Sequence, residues 1–390
     1  MNIVIIGAGM GGLTAALALQ QQGHQVSVHD RVRELRPAGA ALSIWSNGAK
    51  ILHELGLGRS IEQASGNMEA MRYFNHDGAL LTGFSLAPLY GAVGQPACPI
   101  ARSELQRQLL AAVGHDNVHL GEHCVDFQTD ANGVTVSFEN GQTRRADLLI
   151  VADGTHSRLR DRVAGKTIER RYCGYVNWNV RVPAQDDLAP LDHWDQYIGR
   201  HQRVSLMPMG RGGNGEHQPE FYCFFDVPLP LEALDDSGDY RAELRHHFSG
   251  WAPEVMRLIE RFDPALMARV PIHDIDPLDS LVAERVALLG DAAHAMAPDL
   301  GQGGCQAMED AWVLAKALSE YSDLSGALNA YDQARVDRVS DIILRARKRA
   351  DMTHGQDPAA TDQWYQELAR EDGRHIMAGM QKTIEGGPLA

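Results

Sequence analysis

The chain has 390 residues, 44% of them apolar, which is too long for one simple domain and enough for two or three around large cores. Lys plus Arg number 36 against 51 Asp plus Glu, a net charge of −15, which disfavours nucleic acid or an anionic membrane surface as partner. An anionic ligand would need a local cluster of positive charge working against that field.

Ile3 to Ile6 is a continuous apolar run, expected as a strand buried on both faces, with no basic segment before it to suggest a signal peptide. Gly7-x-Gly9-x-x-Gly12 follows, then an Ala/Leu-rich stretch, Leu13 to Gln22, expected as a helix that Gly23 ends. Val26 to Asp30 alternates like a second strand, completing a β-α-β unit with parallel neighbours. The turn His76-Asp77-Gly78 predicts a hairpin over 73–86, and Arg102 to Ala112 predicts a helix with Leu105, Leu109 and Leu110 on one face. Val134, Val136 and Phe138 alternate between Asn132-Gly133 and Asn140-Gly141, and the second pair predicts a hairpin turn of the primed type. Leu148 to Ala152 is another buried strand. Tyr175 to Val182, Arg203 to Met207 and Phe221 to Val227 read as strands, with Gly210 to Gly215 as a flexible tip. From Asp291 onward the pattern is mostly helical, and the basic run Arg345 to Arg349 is expected as a solvated helix face. The β-rich middle lies between stretches of glycine-punctuated α/β sequence, so one domain interrupts the other.

Cys98, Cys124, Cys173, Cys223 and Cys305 are scattered without a Cys-x-x-Cys pair, which fits a reducing compartment and excludes a dithiol centre or zinc ribbon. No metal site is expected. No run reaches the roughly 20 apolar residues of a membrane span, so a cytoplasmic chain with no membrane partner is expected.

Three motifs carry chemistry. In the first, Gly7 permits the tight turn, Gly9 lets backbone approach a pyrophosphate, and Gly12 permits close helix packing. Asp30 ends the second strand where it can accept from ribose hydroxyls. The dinucleotide read from these residues could be NAD or FAD. The second motif is Asp153-Gly154 after the strand at 148–152, and the third is Gly290-Asp291, continuing through Gly301-Gln302-Gly303-Gly304.

In this order the motifs resemble the group A flavoprotein monooxygenases, over residues 1 to about 345. The resemblance implies an α/β, Rossmann-like FAD-binding domain with an inserted, mainly antiparallel β substrate domain and C-terminal helices. It places the FAD domain at 1–72, 100–170 and 271–325, the substrate domain at 73–99 and 171–270, and the helical region at 326–390. It implies FAD bound tightly and non-covalently, held by Gly7, Gly9, Gly11, Gly12, Asp30, Arg31, Ser43, Arg102, Cys124, Asp153, Asp291, Gly301, Gln302, Gly303, Gly304 and Cys305. Arg102 would sit beside the pyrophosphate, Asp291 on the ribityl chain, and the Gly301–Cys305 N–H groups near the flavin pyrimidine. No second Gly-x-Gly-x-x-Gly occurs, which fits a nicotinamide co-substrate that docks transiently, NADH or NADPH, with NADH implied by the likeness described next.

Tyr175 to Asn179, His201 to Pro208, Phe221 to Asp226, Ala297 to Cys305 and Arg345 to Gly355 narrow the likeness to the bacterial FAD-dependent urate hydroxylases. That likeness runs on to Trp364–Leu368 and Gly386–Leu389. It implies that urate is hydroxylated at C5 to 5-hydroxyisourate with NADH and O₂, through a flavin C4a-hydroperoxide, in purine breakdown. Arg203 and Tyr222 match its catalytic positions and Asn177 a further substrate contact; Phe224 and Phe225 alternate across their strand, so that one stacks near the ligand, expected as Phe224, and the other is core. Arg203 would then be the local positive charge. Without the resemblance, Arg203 fits an ordinary strand salt bridge and Tyr222 a satisfied core tyrosine, while Asp299 either steers Arg203 or a water or caps the following helix. His294 reads as structural. A group A hydroxylase of a salicylate- or hydroxybenzoate-type acid is the alternative, since it would share every FAD motif. A flavin halogenase is not expected, because Trp178 lies in Asn-Trp-Asn rather than Trp-x-Trp-x-Ile-Pro. Oligomeric state, a homo-oligomer included, is left open.

Overall fold

Runs such as Ile3–Ile6, Leu148–Val151 and Val286–Leu288 have no polar face, so each needs apolar cover on both sides. In the computed structural model, which describes residues 1–35, 41–210, 218–236 and 238–389, they form the middle of a six-stranded sheet. Its order is Val282–Ala283, Val286–Leu288, Leu148–Val151, Asn2–Ile6, Gln25–Asp30, Val118–Leu120, parallel except at the first strand. The helix Met10–Gln21 packs with Gly303–Glu320 and Arg102–Val113. It starts three residues before Leu13 because Gly9, extended at φ −75° and ψ −176°, is its N-cap.

A three-stranded antiparallel sheet, Cys124–Asp130, Gly133–Phe138 and Thr143–Ala146, packs against the central strands Asn2–Ile6 and Leu148–Val151 and shares their core. Its second hairpin is real, but the turn is not of the primed type. The Gly141 N–H donates to Phe138 O at 2.9 Å and only Gly141 has positive φ, +80°, whereas a type I′ turn needs it at Asn140 as well.

The middle of the chain builds a seven-stranded sheet: Ala268–Ile275, Arg170–Pro183, Glu220–Pro228, Gln202–Met209, His193–Gly199, Ala70–Asn75, Leu80–Ser85. The strand Ala70–Asn75 starts before 73 and Ala268–Ile275 runs on past 270, so the sheet crosses the boundaries expected at 73 and 271 by three and five residues. The expected hairpin at 73–86 is its far edge, paired in parallel with His193–Gly199. The tip expected at 210–215 lies mostly outside the described residues.

Alternation gives this sheet two unlike faces. Val176, Trp178, Val180, Val204, Leu206, Cys223 and Phe225 are buried under the helices Tyr240–His247 and Pro253–Arg261. Asn177, Asn179, Arg203, Ser205, Tyr222, Phe224 and Asp226 point the other way, and of the seven only Tyr222 and Phe224 are not fully buried. Buried polar groups need partners or a ligand, so this face positions the site.

The C-terminal helices Leu324–Thr353, Pro358–Leu368 and Arg374–Glu385 close over that face. The basic run is not a solvated face. Arg345 donates to Thr383 Oγ1 at 2.6 Å, Arg347 to Asp274 at 2.9 Å, and Arg349 stacks 4.2 Å from the Trp364 ring; only Lys348 points to solvent. Among the described residues no helix is long and apolar enough to cross a membrane.

Candidate active site

The glycine turn is specified by contact. Gly7 has φ +111°, and a Cβ there would overlap Ala152 O; a Cβ on Gly12 would overlap Gly7 O. A Cβ on Gly9 would meet nothing within 4 Å, so Gly9 faces open space where the helix Met10–Gln21 presents its free N–H groups. We therefore expect Gly12→Ala to destabilise the fold itself. Gly9→Ala should leave the thermal midpoint of cofactor-free protein within about 1 °C yet lose most bound dinucleotide, read by thermal melts and 450 nm absorbance.

Around that opening, Gly9, Gly11, Ser43, Arg102, Asp291 and the segment Gly301–Cys305 line one end of a cavity of about 750 Å³. Gly7 and Gly12 lie beneath it. Asp30 ends its strand as expected, but its carboxylate accepts from the N–H groups of Ala8 at 2.7 Å and Val32 at 3.0 Å, bracing the glycine turn. Asp153 has a buried Oδ1 with no protein partner, and burial raises its pKa, as expected of a carboxyl awaiting a ligand donor. Arg102 faces the cavity with no carboxylate within 4 Å among the described residues. These features fit an anionic dinucleotide.

Several expected cofactor residues lie elsewhere or act indirectly. Arg31 is exposed outside the cavity, and Cys124 is buried behind its wall, with burial pushing the thiol up to about 12. The Gln302 side chain is turned inward, accepting from Asn47 at 2.9 Å and Gln306 at 3.1 Å. Cys305 accepts from the Trp45 N–H at 3.3 Å, and burial pushes its thiol up to about 12, so it packs rather than reacts. His294 is buried against Asp310 at 2.6 Å, away from the cavity lining.

The other end of the cavity is the polar face of the large sheet. Strand register places Arg203, Asp226 and Asn177 in one row, and Tyr73, Gln196, Ser205, Phe224 and Asn179 in the next. Arg203 Nε donates to Asp226 at 2.7 Å, its Nη2 to Asp299 at 3.0 Å, and its guanidinium lies 5.1 Å from the Phe224 ring. Asn177 donates to Asp226 at 2.7 Å and accepts from Asn179 at 2.8 Å. Asp299 also accepts from the Tyr175 hydroxyl at 2.5 Å, and Tyr175 stacks on His354 at 3.9 Å. Burial would raise the Asp299 pKa, but Arg203, His354 and Tyr175 outweigh it and hold the carboxyl well below the usual range.

The same two carboxylates outweigh burial at Arg203 and raise its pKa. They also cancel its charge. The cluster of Arg203, Asp226 and Asp299 is not a net positive centre, contrary to the role expected of Arg203 against the −15 field. Tyr222 and Phe224 share the cavity side of their strand, 5.6 Å apart, while Phe225 packs on Phe248 behind it. Burial raises the Tyr222 pKa, so its phenol stays protonated. Its hydroxyl has no protein partner among the described residues. The same holds for the amide of Gln196.

With this geometry, comparison with known proteins is decisive. The FAD binding domain family matches residues 1–346. The chain belongs to that family. Its cofactor is FAD, and it is a flavin monooxygenase. It is 48% identical over 390 residues to the FAD-dependent urate hydroxylase of Klebsiella pneumoniae, covering 100% of both chains. It is 46% identical to the FAD-dependent urate hydroxylase of Mycolicibacterium vanbaalenii, covering 100% of this chain and 98% of the relative. The crystal structure of Klebsiella pneumoniae HpxO complexed with FAD and uric acid superposes with a TM-score of 0.96 at 48% identity, over 100% of this chain and 98% of that one.

This flavoprotein's sequence pattern missed Gln196, Trp194 and Tyr73. They sit on the strands His193–Gly199 and Ala70–Asn75, and all three line the cavity. His193-Trp-Asp-Gln196 carries too many polar residues to read as a buried strand. The period-two spacing of Trp194 and Gln196 was the available signal.

Proposed function

We propose that this flavin monooxygenase hydroxylates urate at C5 to 5-hydroxyisourate, with NADH and O₂ as co-substrates. NADH supplies two electrons, one oxygen atom goes to C5 and the other leaves as water. The observation that carries the reading is the polar sheet face opposite the flavin groove, in a chain 48% identical end to end to urate hydroxylases. FAD, when bound, supplies the electron transfer and oxygen activation.

The chain's own residues bind, orient and exclude water. Phe224 offers a ring for a planar heterocycle to stack on. The Gln196 amide offers a donor and an acceptor side by side, which match the N–H and C=O groups on a purine edge and are wasted on a benzene ring. Asn177 spends one donor and one acceptor on Asp226 and Asn179, leaving one N–H and one lone pair for the ligand. Tyr222 brings a neutral hydroxyl, and Arg203 a fixed guanidinium whose geometry Asp226 and Asp299 determine. The C-terminal helices cover the face and keep out water that would divert oxygen to peroxide.

Purified holoenzyme should oxidise NADH rapidly with urate and slowly with salicylate or 3-amino-4-hydroxybenzoate. The opposite ranking replaces urate by an aromatic acid. Gln196→Leu should raise the KM for urate about 10- to 100-fold with FAD content unchanged, because a buried lactam edge is left unpaired. Steady-state kinetics at saturating NADH check this.

A further inference from the structure

Among the arginines that line the cavity, one at the substrate end has no carboxylate in contact. Four arginines line it: Arg102, Arg203, Arg345 and Arg349. Arg203 has Asp226 and Asp299 within 3.0 Å, and Arg345 has Asp341 at 3.3 Å. Arg102 belongs to the dinucleotide end. Arg349, from the long helix Leu324–Thr353, faces the substrate end, and no carboxylate lies within 4 Å of it among the described residues.

Its setting is rigid. The guanidinium stacks 4.2 Å from the centre of the Trp364 ring, with Tyr73, Arg203 and Asp299 near enough to act on its charge. It lines the same cavity as Tyr73, Gln196 and Phe224 of the row Tyr73–Gln196–Ser205–Phe224, which is adjacent to the Arg203–Asp226–Asn177 row. Burial lowers the Arg349 pKa, whereas at Arg203 burial is outweighed by two carboxylates. Arginine remains charged despite such a shift, so Arg349 is a desolvated cation with a free direction toward the cavity.

We propose that Arg349 is an anion-recognition residue of the substrate pocket, supplying the net positive charge that Arg203, clamped between two carboxylates, does not. The ligand chemistry it selects is a planar heterocyclic anion, held edge-on by one guanidinium over the Gln196–Phe224 row. This rests on the urate reading above. It also changes the meaning of the basic run at 345–349, in which Arg347 locks the helix to Asp274 while Arg349 serves the pocket.

The test compares Arg349→Gln and Arg349→Lys with wild-type holoenzyme. Urate affinity is read from the perturbation of the flavin absorbance, and KM and kcat from urate-dependent NADH oxidation. Arg349→Gln should weaken urate about 10- to 100-fold, mostly in KM, with FAD content unchanged, and Arg349→Lys should recover part of the loss. Should Arg349→Gln not fold, phenylglyoxal mapping of the wild type by mass spectrometry decides, since urate should then protect Arg349. Wild-type affinity retained in Arg349→Gln, or no protection of Arg349 by urate, overturns this inference alone. Failure of the wild type to bind urate overturns it together with the reading it rests on.

Discussion

Arg203→Gln should still bind FAD and should lose about a hundredfold or more in kcat/KM for urate. The side chain is buried and makes short charged contacts to Asp226 and Asp299, so its removal takes away a fixed donor set and also leaves two carboxylates facing an anionic ligand. Truncating one partner of such a buried pair costs roughly 2–5 kcal/mol, and about 1.4 kcal/mol is tenfold in rate. Glutamine keeps a hydrogen-bonding group for Asp226 but cannot span to Asp299 as well. The residues expected to hold FAD line the other end of the cavity, so flavin content should hold while NADH oxidation becomes uncoupled from urate loss. Parallel measurement of NADH and urate consumption checks this, and normal coupled turnover refutes the role.

The second large effect lies under the flavin loops. Arg335 is buried between Glu309 at 2.6 Å and Asp310 at 2.7 Å and also bonds Gln306 at 2.8 Å. Glu309 accepts from Asn47 at 2.7 Å, Asn47 donates to Gln302, and Asp310 accepts from the Gly290 N–H at 2.9 Å. One guanidinium thus holds both turns expected to face the flavin, Gly290-Asp291 and Gly301–Gly304, which line the cavity. Arg335→Met fills the space but takes the shared cation from two buried carboxylates, leaving Glu309 with Arg338 alone and Asp310 with His294, which should cost about 3–5 kcal/mol and release FAD. A urea midpoint unchanged from wild type contradicts this. The acid limit follows from the same network. Burial would raise the Asp310 pKa, but His294 and Arg335 bring it down to about 2 from the usual 3.8. A carboxyl lowered in the folded state stabilises above about pH 4, and that contribution is lost as pH falls through about 2.

The cofactor end was legible because its signals are local. Gly7, Gly9 and Gly12 sit in a turn where a Cβ is either forbidden or would enter the groove, and the flanking apolar runs name the strand and helix. The substrate end was legible only as alternation. Tyr175 to Val182 and Phe221 to Val227 show which positions share a face, and Phe224 and Phe225 separate as period two requires. Alternation does not say what covers the polar side. A polar face turned to solvent and one turned to a ligand cavity have the same pattern, so sequence alone does not reveal the strand His193–Gly199 and reads Arg345 to Arg349 as a solvated face. Nor does sequence spacing reveal that Asp226 and Asp299, 73 residues apart, meet on Arg203.

The central claim is that hydroxylation of urate is this chain's coupled reaction. It is tested most directly by following NADH, O₂ and urate together in one cuvette of purified holoenzyme. Urate and NADH should disappear mole for mole, with little hydrogen peroxide formed. NADH oxidation that proceeds with urate intact, and with peroxide as the product, would contradict it.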